Sequence, residues 1–484
     1  MVNGSRKYRV SLVQTTEEFL DEPSSKDGFG GIQSLIKKLL LEITKVLEKL
    51  LGANIFFAVK KDGARLIDRH RYLIKKLQEL GYIDSIQRSG QPADEPRIFR
   101  YYATGRNGSG ASFRSKEESI ISAVAEATER KMWMEKRLTP ALKSSAKKLT
   151  GSPHLDLDSL AGFSKTQKIT PSSPKIHYDE TTELEWLIAN SLSKKCKEYI
   201  PAQLATYANY EHSLNLGEPM LRWPVTTGLA SGATLNMAVA RGLLEIIERD
   251  AFMIFYMNKL RPPEIDLEEF STIDMEIKNV LASFRRYNLE LKILALPTDF
   301  PVHVSLAVVV DKTGLGPSLS VGAKASFNQK DSVLGSISEA LSVRISRKKD
   351  FTEGYTGKPE NMGRTGRLKY WSYPNSYQKF NFALGGKKIR MSDKDTDKIN
   401  DSSAIETIVK HCRTKGYDSL YVRLSDKLLE NTGLYVVMTI VPELQPMHLL
   451  ESIPYLGGNR LQEIPLLLEH EPAKYLNSIP HPFP

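Results

Sequence analysis

Gly242-Leu243-Leu244-Glu245-Ile246-Ile247-Glu248-Arg249-Asp250-Ala251 sets two carboxylates and an arginine among large aliphatic side chains. At positions i and i+3 the two glutamates share one face of a helix. Leu243, Leu244, Ile246, Ile247 and Ala251 sheathe the same segment, so the pattern predicts a long, largely buried helix near residues 234–258. Glutamates in an apolar setting need partners. Adjacent like charges repel unless something positive lies between them. A hard divalent cation such as Mg2+, which takes oxygen ligands, meets that need. Arg249 adds a planar fork suited to phosphate oxygens.

The pattern recurs. Ser122-Ala123-Val124-Ala125-Glu126-Ala127-Thr128-Glu129-Arg130 carries a second E-x-x-E-R, 119 residues earlier, in a helix predicted near 116–136. A third helix, near 331–347, contains Glu339-Ala340-Leu341-Ser342-Val343-Arg344, again acid and arginine on neighbouring helical positions. Each E-x-x-E-R follows a glycine-rich stretch, Gly105-Arg106-Asn107-Gly108-Ser109-Gly110 or Gly228-Leu229-Ala230-Ser231-Gly232. Such stretches let backbone amides approach phosphates at a helix start. Neither fits G-x-x-x-x-G-K-[ST], so a P-loop is excluded.

Around these helices the chain alternates. Buried-type strands are predicted at Leu291–Leu296, Val304–Val310 and Leu434–Val441, which gives an α+β (mixed α/β) class with substantial sheet. Lys143–Ser173 and Lys348–Asp397, rich in Ser, Gly, Lys and Pro, read as loops or weakly ordered insertions. The opening residues differ in character from the rest of the chain. Ile32, Leu35, Ile36, Leu39, Leu40, Ile43, Val46, Leu47, Leu50 and Leu51 recur at helical steps before Gly52; Ile55–Val59 reads as a short strand, Asp62-Gly63 as a turn, and Leu66–Leu80 as a helix closed by Gly81. The chain therefore divides into an N-terminal extension, 1–95, helical with a short strand, and a main domain, 96–484.

Composition narrows the function. With 484 residues, 41% hydrophobic and 26% charged, this is an ordinary globular composition. A net charge of +10 favours anionic ligands, and no RNP-like or zinc-finger pattern supports nucleic acid. No apolar run reaches membrane-spanning length. Cys196 and Cys412 are the only cysteines, 216 residues apart, so neither a structural zinc site nor a disulfide framework arises from this sequence alone; a reducing cytoplasm fits. The nine histidines include no H-x-x-x-H pair and read as packing, surface or hydrogen-bonding groups.

The sequence ends Pro480-His481-Pro482-Phe483-Pro484. Proline fixes φ and donates no amide hydrogen, so alternate prolines hold a chain extended and unpaired. A stiff end loses less entropy when it is held in place, which suits a terminal carboxylate that must sit inside a site.

In this order the motifs resemble the YcaO family, from about Pro96 to Pro484. The pattern is a Gly-x-Gly turn before S-x-x-x-E-x-x-E-R; T-G-L-A-x-G at Thr227–Gly232 before G-L-L-E-x-x-E-R-D at Gly242–Asp250; E-A-x-x-x-R at Glu339–Arg344; Gly457-Gly458-Asn459-Arg460-Leu461; and the P-x-P-x-P terminus. The resemblance implies a YcaO-type ATP-binding domain with glutamate-rich helices packed on sheets. ATP and Mg2+ would be the cofactors. Glu126, Glu129, Glu245 and Glu248 would contact the metal or nucleotide, while Ser122, Glu129, Arg249, Glu339 and Arg344 would line the nucleotide and its phosphates. Ser109 and Ser342 stand where some members have lysine and glutamine. Ala230, Ala233 and Met237 stand where some have Ser, Asn and Glu, so those contacts do not carry over.

Within the family the terminus resembles that of cyclodehydratases that make azolines in ribosomal peptides. The implied reaction starts with attack of a Cys, Ser or Thr side chain on the preceding backbone carbonyl. ATP then phosphorylates the resulting oxyanion, and phosphate leaves as the thiazoline or oxazoline forms. Pro480 and Pro482 would deliver the Pro484 carboxylate as the base. The expected partners are a precursor peptide, an E1-like leader-binding protein carrying zinc and a flavin-dependent dehydrogenase; a homo-oligomer is also expected. Another YcaO chemistry, forming thioamides or amidines, is opposed by the terminal motif, and a non-catalytic ATP-binding scaffold by the intact glutamates.

Overall fold

The computed structural model describes residues 66–169, 176–272, 274–348, 355, 357–358, 362–391 and 399–483. The chain divides into two units, Met1–Phe56, which lies outside the described residues, and Phe57–Pro484. The expected amphipathic helix at Ile32–Leu51, the strand at Ile55–Val59 and the turn at Asp62-Gly63 lie outside the described residues as well, as does Pro484.

The strands are β1 (Ile86–Arg88), β2 (Phe99–Ala103), β3 (Gly108–Ser112), β4 (Leu142–Ser145), β5 (Glu183–Ser191), β6 (Lys197–Pro201), β7 (Leu229–Gly232), β8 (Glu264–Ile265), β9 (Leu289–Ala295), β10 (His303–Asp311), β11 (Leu319–Ser326), β12 (Lys388–Ile389), β13 (Leu420–Arg423) and β14 (Tyr435–Ile440). They form three sheets: β1-β2-β3; β11-β10-β9-β8-β12; and β4-β5-β13-β14-β7, with β6 added to β5. All the pairings are antiparallel except that of β12 with β8. This is the α+β class. The helices include α1 (Leu66–Glu79), α2 (Lys116–Glu135), α3 (Leu235–Met257), α4 (Gln329–Arg347), α5 (Arg364–Ser372), α6 (Asp401–Lys415) and α7 (Arg460–Leu467).

One unit is used three times. A glycine-bearing strand runs into a capped helix that folds back onto that strand: β3 into α2, β7 into α3, and β11 into α4. The caps are Ser115, Thr234 and Asn328, whose side-chain oxygens accept from the amides of Glu118, Met237 and Asp331. Glycine is needed because helix and strand backbones nearly touch. A Cβ on Gly110 would lie 1.9 Å from the Ser119 carbonyl oxygen, and one on Gly322 would lie 2.4 Å from the Ala340 amide. These glycines therefore serve helix–strand contact; Gly108 and Gly110 lie within β3, under α2, and not at a helix start.

The helix α3 sits between sheets. It packs against β7 and β14 on one side and β11 on the other, and touches α6 and α7. This double burial explains why Ala238, Leu243, Ile247, Ala251, Phe252 and Phe255 are all buried, as its sequence requires. The core built on it joins Leu306, Val308 and Val321 to Val437, Trp371 and Phe483.

Two stretches read from composition as loops or weakly ordered insertions are anchored at several of their described residues. Residues 143–173 contain part of β4 and bury Leu155, Leu157, Leu160 and Phe163. Residues 348–397 supply α5, a 3-10 helix at Ser376–Ala383 and β12, and bury Arg367, Trp371 and Phe380. In both, a few large side chains at wide spacing do the anchoring, which no periodicity shows. At the other boundary, β1 pairs with β2, and Glu95 is buried in an ion pair with Arg344.

Candidate nucleotide and metal site

The three strand–helix units bring their acidic faces together. On α2, Ser122, Glu126 and Glu129 lie on one face, at i, i+4 and i+7. Glu126 is engaged locally: its Oε2 accepts from the Ser109 amide at 2.6 Å and hydroxyl at 2.9 Å, and its Oε1 from Arg130 at 2.5 Å. Burial raises the Glu129 carboxyl above its ordinary pKa, with Ser231 of β7 and the charge of Glu126 beside it. Glu129 thus faces β7, the strand that leads into α3.

On α3, Glu245 accepts from the Gly228 amide at 3.3 Å and lies 3.5 Å from Arg249 Nη2. Glu248, itself buried, accepts from the Ala325 amide of β11 at 3.0 Å and pairs with Arg249 Nη1 at 2.9 Å. From α4, Glu339 accepts from the Ala323 amide at 2.9 Å. Burial pushes Glu245 and Glu339 up to about 7, opposed first by the Arg249 guanidinium and reinforced by the Glu248 charge. Glu129, Glu245, Glu248 and Glu339 therefore form one electrostatic cluster with Arg249 in its midst. The donor set is all oxygen. Neighbouring carboxyls that hold protons near neutrality gain by exchanging them for a hard dication, so the residues fit Mg2+.

Arg344 does not join this cluster. Its Nε bonds Glu95 at 2.8 Å, its Nη1 the Pro317 carbonyl at 2.8 Å and its Nη2 Asp311 at 2.7 Å, all buried. Five residues along a helix turn about 140°, so Arg344 leaves the face of Glu339. Ser342 likewise accepts from Arg100 at 3.2 Å. Ala230 and Ala233 are buried apolar positions.

The structure also contributes residues that the motifs did not mark. Arg241, one turn before Glu245, donates to the Ser231 carbonyl at 3.3 Å, and burial lowers it to about 10 despite the opposing charge of Glu129. Lys324 on β11 lies within electrostatic reach of Glu245 and Glu339. A run of period-two strand residues carries no sign that one of them will face a site on a neighbouring helix. The third glycine strand was legible, since Gly322 precedes α4 as Gly110 precedes α2. Asp250 and Arg460, both motif residues, prove to be mutual partners: Arg460 Nε and Nη2 meet the Asp250 carboxylate at 2.8 and 2.6 Å, fixing α7 to α3.

The tail enters the same region. Pro480, His481, Pro482 and Phe483 are buried. The Pro480 carbonyl accepts from Tyr256 Oη at 3.0 Å and Trp371 Nε1 at 2.8 Å, and His481 Nε2 lies 2.8 Å from the His448 carbonyl. The Phe483 ring lies against Phe252, 4.9 Å between centroids, and beneath the Arg249 guanidinium at 4.1 Å. His448, Glu451 and His481 bring one ligand atom each within 4.8 Å of one another. Burial and the Arg367 charge hold His481 well below its ordinary pKa, and a field that disfavours a proton there disfavours a cation too.

Among the described residues no helix is long and apolar enough to cross a membrane. Residues 107–445 match the family model described as YcaO cyclodehydratase, ATP- and Mg2+-binding. An uncharacterized protein of Methanothermobacter thermautotrophicus is 26% identical over 387 residues, covering 77% of this chain and 90% of its own length. A heterocyclase solved in complex with substrate and cofactor superposes with a TM-score of 0.70 at 20% identity, covering 88% of this chain; this chain spans only 59% of that heterocyclase. The YcaO of Methanopyrus kandleri, solved with AMPPCP and Mg2+, gives a TM-score of 0.54 at 17% identity, over 79% of this chain and 92% of that one. With more than half its length matched by that model, and its acidic helices inside the match, the chain belongs to the YcaO cyclodehydratase family.

Proposed function

We propose that this chain is the ATP-dependent cyclodehydratase of a ribosomal-peptide pathway, converting Cys, Ser or Thr residues of a precursor peptide to thiazolines or oxazolines. The observation that carries the proposal is the buried tail, whose penultimate residue, Phe483, packs under Arg249, the partner of Glu248. A terminus that only fanned out from the surface would not support a carboxylate base.

Glu129, Glu245, Glu248 and Glu339 are the groups that would hold Mg2+ and the nucleotide, and Mg2+ when bound neutralises phosphate charge. Glu126 and Ser122 share the face of Glu129 on α2, with Glu126 oriented by Ser109 and Arg130. Arg249, able to exchange its carboxylate partners for phosphoryl oxygens, would orient the transferred group. The side-chain nucleophile adds to the backbone carbonyl, the oxyanion takes the phosphoryl group from ATP, and phosphate and ADP leave as the ring closes. The proton of the nucleophile passes to the Pro484 carboxylate, which hands it on to the departing phosphate or to solvent before it takes the second proton, from the amide. Arg344 is left out of the nucleotide set, because its nitrogens are committed to Glu95, Pro317 and Asp311.

The reaction also needs recognition of the leader, and this chain spans 59% of the heterocyclase solved with substrate. We assign that work to an E1-like, zinc-bearing leader-binding protein; a flavin-dependent dehydrogenase acting on the azolines belongs to the same proposal. The free cysteines Cys196 and Cys412 suit a reducing cytoplasm.

The test is to extend the C-terminus by a short tag and follow loss of one water per ring from the precursor by mass spectrometry, with the partner protein present. Misplacing a catalytic group by about 1 Å costs roughly a hundredfold in rate. Ring formation should collapse while ATP binding changes far less. Full ring formation by the tagged chain would overturn the base assignment and favour another YcaO chemistry.

A further inference from the structure

The prolines of the tail pose a positioning problem that the structure answers with specific groups. Pro480 and Pro482 have no amide hydrogen, so residues 480–483 have their carbonyls, their side chains and only two amides through which they can be held. A carbonyl oxygen offers two lone pairs. Both donors on Pro480, Tyr256 Oη at 3.0 Å and Trp371 Nε1 at 2.8 Å, are buried and come from different helices, α3 and α5. Each belongs to a ring with few rotatable bonds, itself wedged among other rings: Tyr256 stacks on Phe252 at 5.8 Å and Trp371 meets Phe380 edge-on at 6.0 Å. Upstream, the Asn477 amide donates to the Met257 carbonyl at 2.7 Å, which ties the approach of the tail to the end of α3.

We propose that Tyr256 and Trp371 are positioning residues of ring formation, which fix the register of the tail by gripping the Pro480 carbonyl. This rests on the reading of the tail as the carrier of the base. Register matters because beyond Pro480 the stiff segment transmits a slip at the grip to its end without absorbing it. His481 braces the other side through the His448 carbonyl, and the Phe483 ring beneath Arg249 carries the placement to the acidic helix.

Tyr256→Phe and Trp371→Phe remove the donors and keep the rings. The assay combines this chain with a Cys-, Ser- or Thr-bearing precursor peptide and an E1-like leader-binding protein. Each variant should lower kcat for ring formation by about fivefold to tenfold, the worth of one buried hydrogen bond. KM for ATP and for the peptide should stay within about twofold, since the grip acts on neither ligand. The double variant should also speed amide exchange at His481 and Phe483 while the α3 core stays protected, a readout that needs no substrate. In a chain lacking residues 480–484 the same substitutions should have no further effect on the residual rate, because a residue acting through the tail has nothing left to act on. A wild-type kcat in the double variant, or an equal further loss in the truncated chain, would overturn the proposal. Full activity of the truncated chain itself would instead sink the base assignment beneath it.

Discussion

Glu245 and Glu339 sit in an environment far from what their residue type implies. Their ordinary value of 4.5 is raised to about 7 by burial. A carboxyl raised in the folded state adds stability while it is protonated and loses that contribution as pH rises through about 7. Mg2+ requires the ionised forms, so its binding releases protons. Between about pH 5.5 and 8 the nucleotide-free chain should therefore lose thermal stability while Mg2+-ATP affinity rises, by up to tenfold per unit for each proton displaced. Glu245→Gln should flatten that rise, and Glu248→Gln should weaken ATP binding or turnover with the fold intact. Calorimetry across this range checks both; a pH-independent affinity in the unsubstituted chain would remove the metal from the cluster. Arg344 tests the opposite case. Breaking a buried ion pair costs about 3–5 kcal/mol, so Arg344→Met should lower the melting temperature sharply, yet nucleotide affinity of the folded fraction should be unchanged. E-A-x-x-x-R was legible as a motif. That its arginine turns from the acidic face follows from the five-residue spacing, but its partners Glu95 and Asp311 were not legible, since they are 249 and 33 residues away.

At the scale of elements, the helices were legible because their signal is local. Apolar residues at three and four residue steps fall on α2, α3 and α4, and the ends agree within a few residues with the predicted 116–136, 234–258 and 331–347. The strands β9, β10 and β14 were read on the same footing. The anchoring of the described residues within 143–173 and 348–397 was not, because it comes from long-range burial of scattered residues such as Phe163 and Trp371. The glycine stretches were found, but their use in close helix–strand contact was not, since a motif records where glycine stands and not what approaches it. Gly322→Ala tests the close contact directly. With the Ala340 amide 2.4 Å from the new methyl, α4 must move off β11, and overpacking of this kind costs about 1–3 kcal/mol. Because Glu339 is held by the Ala323 amide across that same contact, a loss of ATP affinity should accompany the loss of stability. Denaturant melts beside nucleotide titrations separate this from a purely structural effect, in which affinity would stay at its original value.

For the whole molecule, the question is how a site assembled from three helices obtains a peptide. In the proposed reading the acidic cluster serves the nucleotide and the tail the base, and leader recognition is assigned to a partner. This chain spans 59% of the heterocyclase solved with its substrate. With Cys196 exposed and Cys412 buried, both free, the described residues offer no cysteine cluster for the zinc that the expected partner carries. Peptide delivery should therefore be limiting when the chain acts alone. Slow ATP hydrolysis and little ring formation are expected without the E1-like protein, and a rate higher by orders of magnitude with it, in line with the several kcal/mol that positioning two reactants can supply. The gain should appear in kcat/KM for the peptide far more than in KM for ATP, because all the residues proposed for the nucleotide belong to this chain. Steady-state kinetics with and without the partner decide the matter. Equal peptide processing in both would mean that this chain recognises its substrate unaided, and that the search for a leader-binding surface belongs on its own fold.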